Sequence, residues 1–197
     1  MSLTIEFYLD FSSAYSYIGQ HRLRAMGDQF DVEIDWKPIA LGAIFQQRGH
    51  APDGPKTPKG AYIRHDVERS AQEWSLPYQW PSPFPFNSIN AARIYYFLAT
   101  ADAKEAVRWA QAVFEASYKD GLDCSNLTVL CELAERLGHE GDRAIAATAD
   151  PQIKKTLIDA TNEAAERGVF GAPSLFVNHE HYWGADRIDQ ILRQLSR

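Results

Sequence analysis

The sequence predicts an α/β fold in the order βαβ, a long helical stretch, then ββα. Three observations carry this. Apolar residues alternate in residues 4–10 and again in 32–36, with helical spacing between them. Helical spacing then fills the chain from Ser88 to Arg167. Alternation returns abruptly at residues 173–183, ahead of one last helical segment.

In chain order, residues 4–10 form the first strand, with Ile5, Phe7 and Leu9 on one side and Thr4, Glu6 and Tyr8 on the other. A helix begins near Ser13 or Ala14; Tyr15, Ile18, Leu23 and Met26 recur at close to helical spacing, and Gly27 is its expected stop. Residues 32–36 alternate as a second strand, so a βαβ crossover is expected. Residues 37–90 differ: Pro52, Pro55, Pro58, Pro77, Pro81, Pro83 and Pro85 are seven of the chain's ten prolines, leaving room for a helix only at 60–74. A long irregular segment of this kind is usually functional or a cover, and Trp74, Tyr78 and Trp80 either line an interface, roof a pocket or join the core. Two helices follow at 90–100 and 103–118. Leu127, Leu130, Cys131, Ala134 and Leu137 then mark a helix capped by Asp123 or Ser125 and stopped by Gly138. Ile153, Leu157, Ala160 and Ala164 mark another before Gly168. Residues 173–177 and 181–183 bracket a hairpin turn at Asn178-His179-Glu180, and Ile188, Ile191, Leu192 and Leu195 mark the closing helix.

Composition narrows the function. With 197 residues, 45% hydrophobic and 23% charged, the chain has the profile of an ordinary globule, and folding buries about 70% of the surface of the unfolded chain without a metal or disulfide staple. A net charge of −6 argues against nucleic acid or an anionic membrane as partner. No apolar run approaches membrane-spanning length, and the N-terminal residues lack the basic start and apolar core of a leader, so a cytoplasmic location is expected. Cys124 and Cys131 are seven apart, which places both on one face of a helix as small buried side chains. His179 and His181 are the only close histidine pair, and with no further ligands nearby no metal site is expected.

Three short stretches carry candidate chemistry. In Asp10-Phe11-Ser12-Ser13-Ala14-Tyr15-Ser16, a strand ends and a helix begins; its free N–H groups and dipole favour an anion such as a thiolate, although serine is equally a plain N-cap. Gly168-Val169-Phe170-Gly171-Ala172-Pro173 opens a strand. A cis bond before Pro173 lets Ala172 offer its backbone to an extended peptide, whereas a trans bond makes it an ordinary strand start. In Trp183-Gly184-Ala185-Asp186-Arg187, small residues admit a ligand backbone and Asp186 can accept from an ammonium; a helix cap is the alternative.

Their order and spacing resemble the 2-hydroxychromene-2-carboxylate isomerases. These group with the kappa-class glutathione transferases in the DsbA-like branch of the thioredoxin superfamily. The resemblance spans essentially the whole chain, including Trp36-Lys37-Pro38, Leu41-Gly42-Ala43-Ile44-Phe45, Phe84-Pro85-Phe86-Asn87-Ser88 and Asp123-Cys124-Ser125-Asn126. It implies a thioredoxin-like fold with a large helical insertion: residues 1–40 and 168–197 form a discontinuous thioredoxin-like domain, and residues 41–167 the Pro-rich segment and helical insertion domain. It also implies glutathione as cofactor. By this resemblance Ser13 is the catalytic residue, donating a hydrogen bond to the glutathione sulfur, and Ser16 holds the position of a resolving cysteine. Ala172, before a cis-Pro173, pairs with the cysteinyl unit; Ala185 and Asp186 hold the γ-glutamyl end. Relatives carry Asn after Gly where this chain has Gly49-His50, which makes His50 the candidate substrate contact.

The implied activity is isomerisation of 2-hydroxychromene-2-carboxylate or a similar aromatic-degradation intermediate by reversible thiolate addition. The alternatives are a kappa-like transferase that conjugates electrophiles, and a non-catalytic glutathione-binding module. Ser13 and Ser16 cannot exchange disulfides, which sets disulfide exchange aside. Relatives of this kind are dimers, so a homodimer is expected.

Overall fold

Strand β1 (Leu3–Leu9) forms because its alternation gives each face of a sheet something to bury. The computed structural model describes residues 3–49 and 56–195. Ile5, Phe7 and Leu9 are fully buried on one face, whereas Tyr8 is buried on the other. After helix α1 (Ala14–Gln29), strand β2 (Val32–Pro38) pairs with β1 in parallel, Phe7 opposite Trp36. Strands β3 (Ser174–Val177) and β4 (Glu180–Trp183) return antiparallel, completing a sheet in the order β2-β1-β3-β4. This is the expected α/β arrangement, with strands drawn from both ends of the chain.

Between β2 and β3 run α2 (Leu41–Gln47), α3 (Pro58–Glu73), α4 (Ile89–Ala99), α5 (Ala103–Tyr118), α6 (Leu127–Arg136), α7 (Gly141–Ala147) and α8 (Pro151–Glu166). Helix α9 (Ile188–Leu195) closes the chain after a short 3-10 turn at Ala185–Arg187. The front face of the sheet joins Tyr17, Ile18 and Leu23 of α1 and Ile188 and Ile191 of α9 in the main core, which continues into α4 and α5 through Trp109 and Phe114. The back face, with Tyr8 and Phe176, packs against Ile44 of α2 and Ala164 of α8. Tyr95 and Tyr96 tie α4 to β2 by donating to the Trp36 and Pro38 carbonyls at 2.8 and 2.7 Å.

Several details differ from the sequence reading. Gly27 does not stop α1; the helix continues to Gln29 and ends where Phe30 N–H bonds to Met26 O, because an isolated glycine costs a helix too little to end it. Residues 41–47 are helical as well as 58–73, since proline is absent there and Ile44 has a pocket on the back of the sheet. Asn126, not Asp123 or Ser125, caps α6; the Asp123 carboxylate instead bonds the backbone and side chain of Ser125 in a turn. Cys124 therefore precedes the helix and does not share a face with Cys131. The first is fully buried, and the second is partly exposed on α6 beside Glu135. The hairpin turn is two residues, Asn178 and His179, both with positive φ, and Glu180 is already in β4. Trp74 lies over a guanidinium, while Tyr78 and Trp80 pack against the main core. Among the described residues, no helix is long and apolar enough to cross a membrane.

Candidate active site

The end of β1 is anchored before any site chemistry begins. Asp10 is 5% exposed, yet its carboxylate accepts three hydrogen bonds: from Ser12 N–H at 2.8 Å, Ser88 Oγ at 2.7 Å and Leu41 N–H at 2.8 Å. Burial pushes its carboxyl above the usual range, against the pull of those donors. Its carbonyl accepts the Ser13 N–H at 2.9 Å, and Ser12 Oγ accepts the Phe86 N–H at 3.0 Å. The turn from β1 into α1 is thereby tied to α2, to the end of the Pro-rich segment and to the start of α4.

Ser13 is the N-cap of α1. Its backbone is extended, and its Oγ accepts from Ser16 N–H at 3.2 Å. The same hydroxyl donates to the Ala172 carbonyl at 2.8 Å, across 159 residues of chain. Ala172–Pro173 is cis, as the resemblance implies; Ser82–Pro83 and Phe84–Pro85 are cis too. Gly19, on α1, explains how closely this loop approaches: an added Cβ would stand 3.3 Å from Pro173 Cγ and 3.8 Å from Ala185 Cβ. Ser13, Ala172, Pro173 and Ala185 thus all border the N-terminal half of α1. Asp186 follows in the 3-10 turn with its side chain 67% exposed and ion-paired to Arg187. Gly184 has φ of +108°, and its N–H bonds to Pro173 O at 3.0 Å, linking the third stretch to the second. The loop ahead of Ala172 has its own support: Ser174 Oγ donates to Gly171 O at 2.8 Å and stands 3.0 Å from His181 Nε2. His50 lies outside the described residues.

Electrostatically, the first turn of α1 contains no acidic residue, so the positive end of its dipole is not offset from within. Such a spot, with a neutral hydroxyl and an extended backbone beside it, suits an anion attached to a peptide. Burial pushes the Cys124 thiol up to about 11, and the partly exposed Cys131 thiol is also raised, by desolvation and the nearby Glu135. A cavity of about 310 Å³ lies elsewhere, lined by Glu68, Ala71, Gln72, Leu76, Tyr78, Gln79 and Trp80, and none of the predicted site residues borders it.

A model of the DSBA-like thioredoxin domain matches residues 4–196. The chain belongs to that family. Within it, the chain is similar to the 2-hydroxychromene-2-carboxylate isomerase of Sphingobium xenophagum, at 29% identity over 191 residues covering 96% of each chain. It is also similar to the Homo sapiens protein glutathione S-transferase kappa 1, at 22% identity over 206 residues, 98% of this chain and 91% of the other. A solved structure of a 2-hydroxychromene-2-carboxylate isomerase superposes with a TM-score of 0.88 at 24% identity, covering 98% of this chain and 95% of that one. The family's fold is the one described above.

Two supporting residues escaped sequence reasoning. Asp10 drew notice only as a strand end, because its partners Ser88 and Leu41 come from segments whose placement is tertiary. His181 drew notice only as a metal-ligand candidate; its role beside Ser174 follows from the β3–β4 register.

Proposed function

We propose that the chain is a glutathione-dependent isomerase acting on 2-hydroxychromene-2-carboxylate or a similar intermediate of aromatic degradation. The observation that carries this reading is the 2.8 Å bond from Ser13 Oγ to Ala172 O, which brings a helix N-terminus with no acid in its first turn and the backbone before a cis-proline to one place. Relatives named as isomerase and as kappa glutathione transferase, each matched over nearly the whole chain, support it.

The residues present fit glutathione. Ala172 lies in the bend just ahead of β3, before the cis bond to Pro173, and its backbone suits pairing with the cysteinyl unit, while the exposed Asp186 carboxylate suits the γ-glutamyl ammonium. Glutathione supplies, when bound, the nucleophilic sulfur whose reversible addition turns a conjugated carbon–carbon double bond into one that can rotate. The chain's own part is to hold that sulfur ionised. The Ser13 hydroxyl turns from Ala172 O to donate to the anion, the α1 dipole stabilises the negative charge, and the Asp10 bonds keep the β1–α1 turn fixed while this happens. A kappa-like conjugation would use the same groups, and the transferase relative favours it as the second reading.

Calorimetric titration with glutathione tests the binding, and product analysis with a chromene carboxylate tests the reaction. The expected outcome is binding by the wild type that Ser13→Ala and Asp186→Ala weaken, with isomer formed and glutathione unconsumed. Conjugate formation with glutathione consumed selects the transferase. No binding by the wild type overturns both.

A further inference from the structure

The turn that carries Asp186 is held to the helix that carries Ser13 by a buried arginine with no part in the reading above. Arg22 lies within α1, its side chain 4% exposed. Nη1 donates to the Ala185 carbonyl at 2.6 Å, Nη2 is paired with Asp189 in the first turn of α9, and the Trp74 ring covers the guanidinium with its centroid 3.7 Å from Cζ. One turn earlier, Gly19 leaves the space in which Pro173 and Ala185 approach α1.

A cation buried this deeply is costly unless its donors are met, and an apolar residue would fill the same space more cheaply. What an apolar residue cannot do is grip a backbone carbonyl and a carboxylate at once through a planar fork. The Ala185–Arg187 turn is otherwise tied by backbone bonds, from Gly184 N–H to Pro173 O at 3.0 Å, from Arg187 N–H to Gly184 O at 3.2 Å and from Ile188 N–H to Ala185 O, and by the Asp186–Arg187 ion pair within it, whereas Arg22 ties it to α1. We infer that Arg22 is a positioning residue that fixes the Ala185–Asp186 turn against α1, setting the Asp186 carboxylate at a constant distance from Ser13 and so selecting ligands that carry a γ-glutamyl ammonium. This rests on the glutathione reading of the site. Trp74, from the end of the helix α3 that follows the proline-rich start, serves as the roof that keeps water from the guanidinium.

The test combines two measurements on the full chain. Hydrogen exchange of the amides at 184–187, without ligand, reads whether Arg22 holds the turn. Glutathione affinity in wild type, Arg22→Met, Asp186→Asn and the double variant reads whether the hold matters for binding. Arg22→Met is expected to speed exchange at those amides while the β1 amides stay protected, and to weaken glutathione about tenfold. The double variant is expected to bind no more weakly than the weaker single one, because both changes remove the same contact. Unchanged exchange with wild-type affinity in Arg22→Met overturns the inference, as do losses that simply multiply in the double variant. Should wild type bind no glutathione, the functional reading falls, a result distinct from wild-type binding that Arg22→Met leaves intact. If Arg22→Met does not fold, Asp189→Asn takes its place with smaller changes expected in the same direction; no change there overturns the inference.

Discussion

Helices α1 and α8 open in opposite ways. Asp150 caps α8 with a carboxylate that accepts Gln152 N–H at 2.7 Å, so the positive end of that helix meets a negative charge of its own. Helix α5 does the same with Asp102 and adds Glu105 in its first turn. Helix α1 opens with neutral Ser13 and no acid in the first turn, and its cap hydroxyl is turned toward a backbone carbonyl. Both arrangements cap a helix, but the first sets a charge of the chain's own against the helix field, whereas the second, on the proposed function, leaves that field to an anion from outside the chain.

The most direct way to break this contrast is to make α1 resemble α8. Ser13→Asp supplies a good cap but places a carboxylate where the sulfur anion is to sit. Two like charges about 4 Å apart repel by roughly 4 kcal/mol in a partly buried site. Glutathione affinity above neutral pH is expected to fall by about 100-fold or more, while S-methylglutathione, which has no ionisable thiol, loses far less. Equal losses for the two ligands would contradict the contrast. Ser13→Ala comes next. It removes one charge-assisted hydrogen bond, for a drop in turnover of about 10- to 100-fold, measured at saturating glutathione. It also removes a cap, for about 0.5–2 kcal/mol of stability, measured by urea unfolding.

The converse variant, Asp150→Ala, sharpens the comparison. It is expected to cost about 1 kcal/mol of stability and to leave glutathione binding at the wild-type value, because α8 spends its N-terminal field within the fold. The smallest effect concerns the back of the sheet. There Arg167 donates to both oxygens of Glu6 and holds that carboxyl below the usual range, against the effect of burial. The stability Glu6 contributes is therefore complete above the ordinary carboxylate range and lost as pH falls through and below it. Arg167→Met is expected to flatten this acid limb in Tm measurements and to leave the neutral-pH thiol chemistry unchanged.

Much of the candidate site was legible because its parts are short, local patterns. Strand alternation locates the end of β1, a serine at the change of period locates the α1 cap, and the Pro173 and Gly184-Ala185-Asp186 stretches each sit at an element boundary. What brings them together is not local. The Ser13–Ala172 bond spans 159 positions and the Arg22–Ala185 bond 163, so neither has a trace in the spacing of nearby residues. Arg22 stands on the core-facing side of α1, where a lone charge offers a signal without naming its partner. The same reasoning explains α2: seven residues are too few for a clear period, and the helix is decided by Ile44 meeting the back of the sheet.

On the proposed function, α1 holds an external thiol as its anion. The pKa of the glutathione thiol bound to the wild-type chain, read from ultraviolet thiolate absorbance across a pH titration, tests it directly. A value at least about one unit below the ordinary thiol value of about 8.5, returning toward that value in Ser13→Ala, is the predicted result. A bound thiol that titrates as it does free in solution, or the same value in wild type and Ser13→Ala, would contradict it.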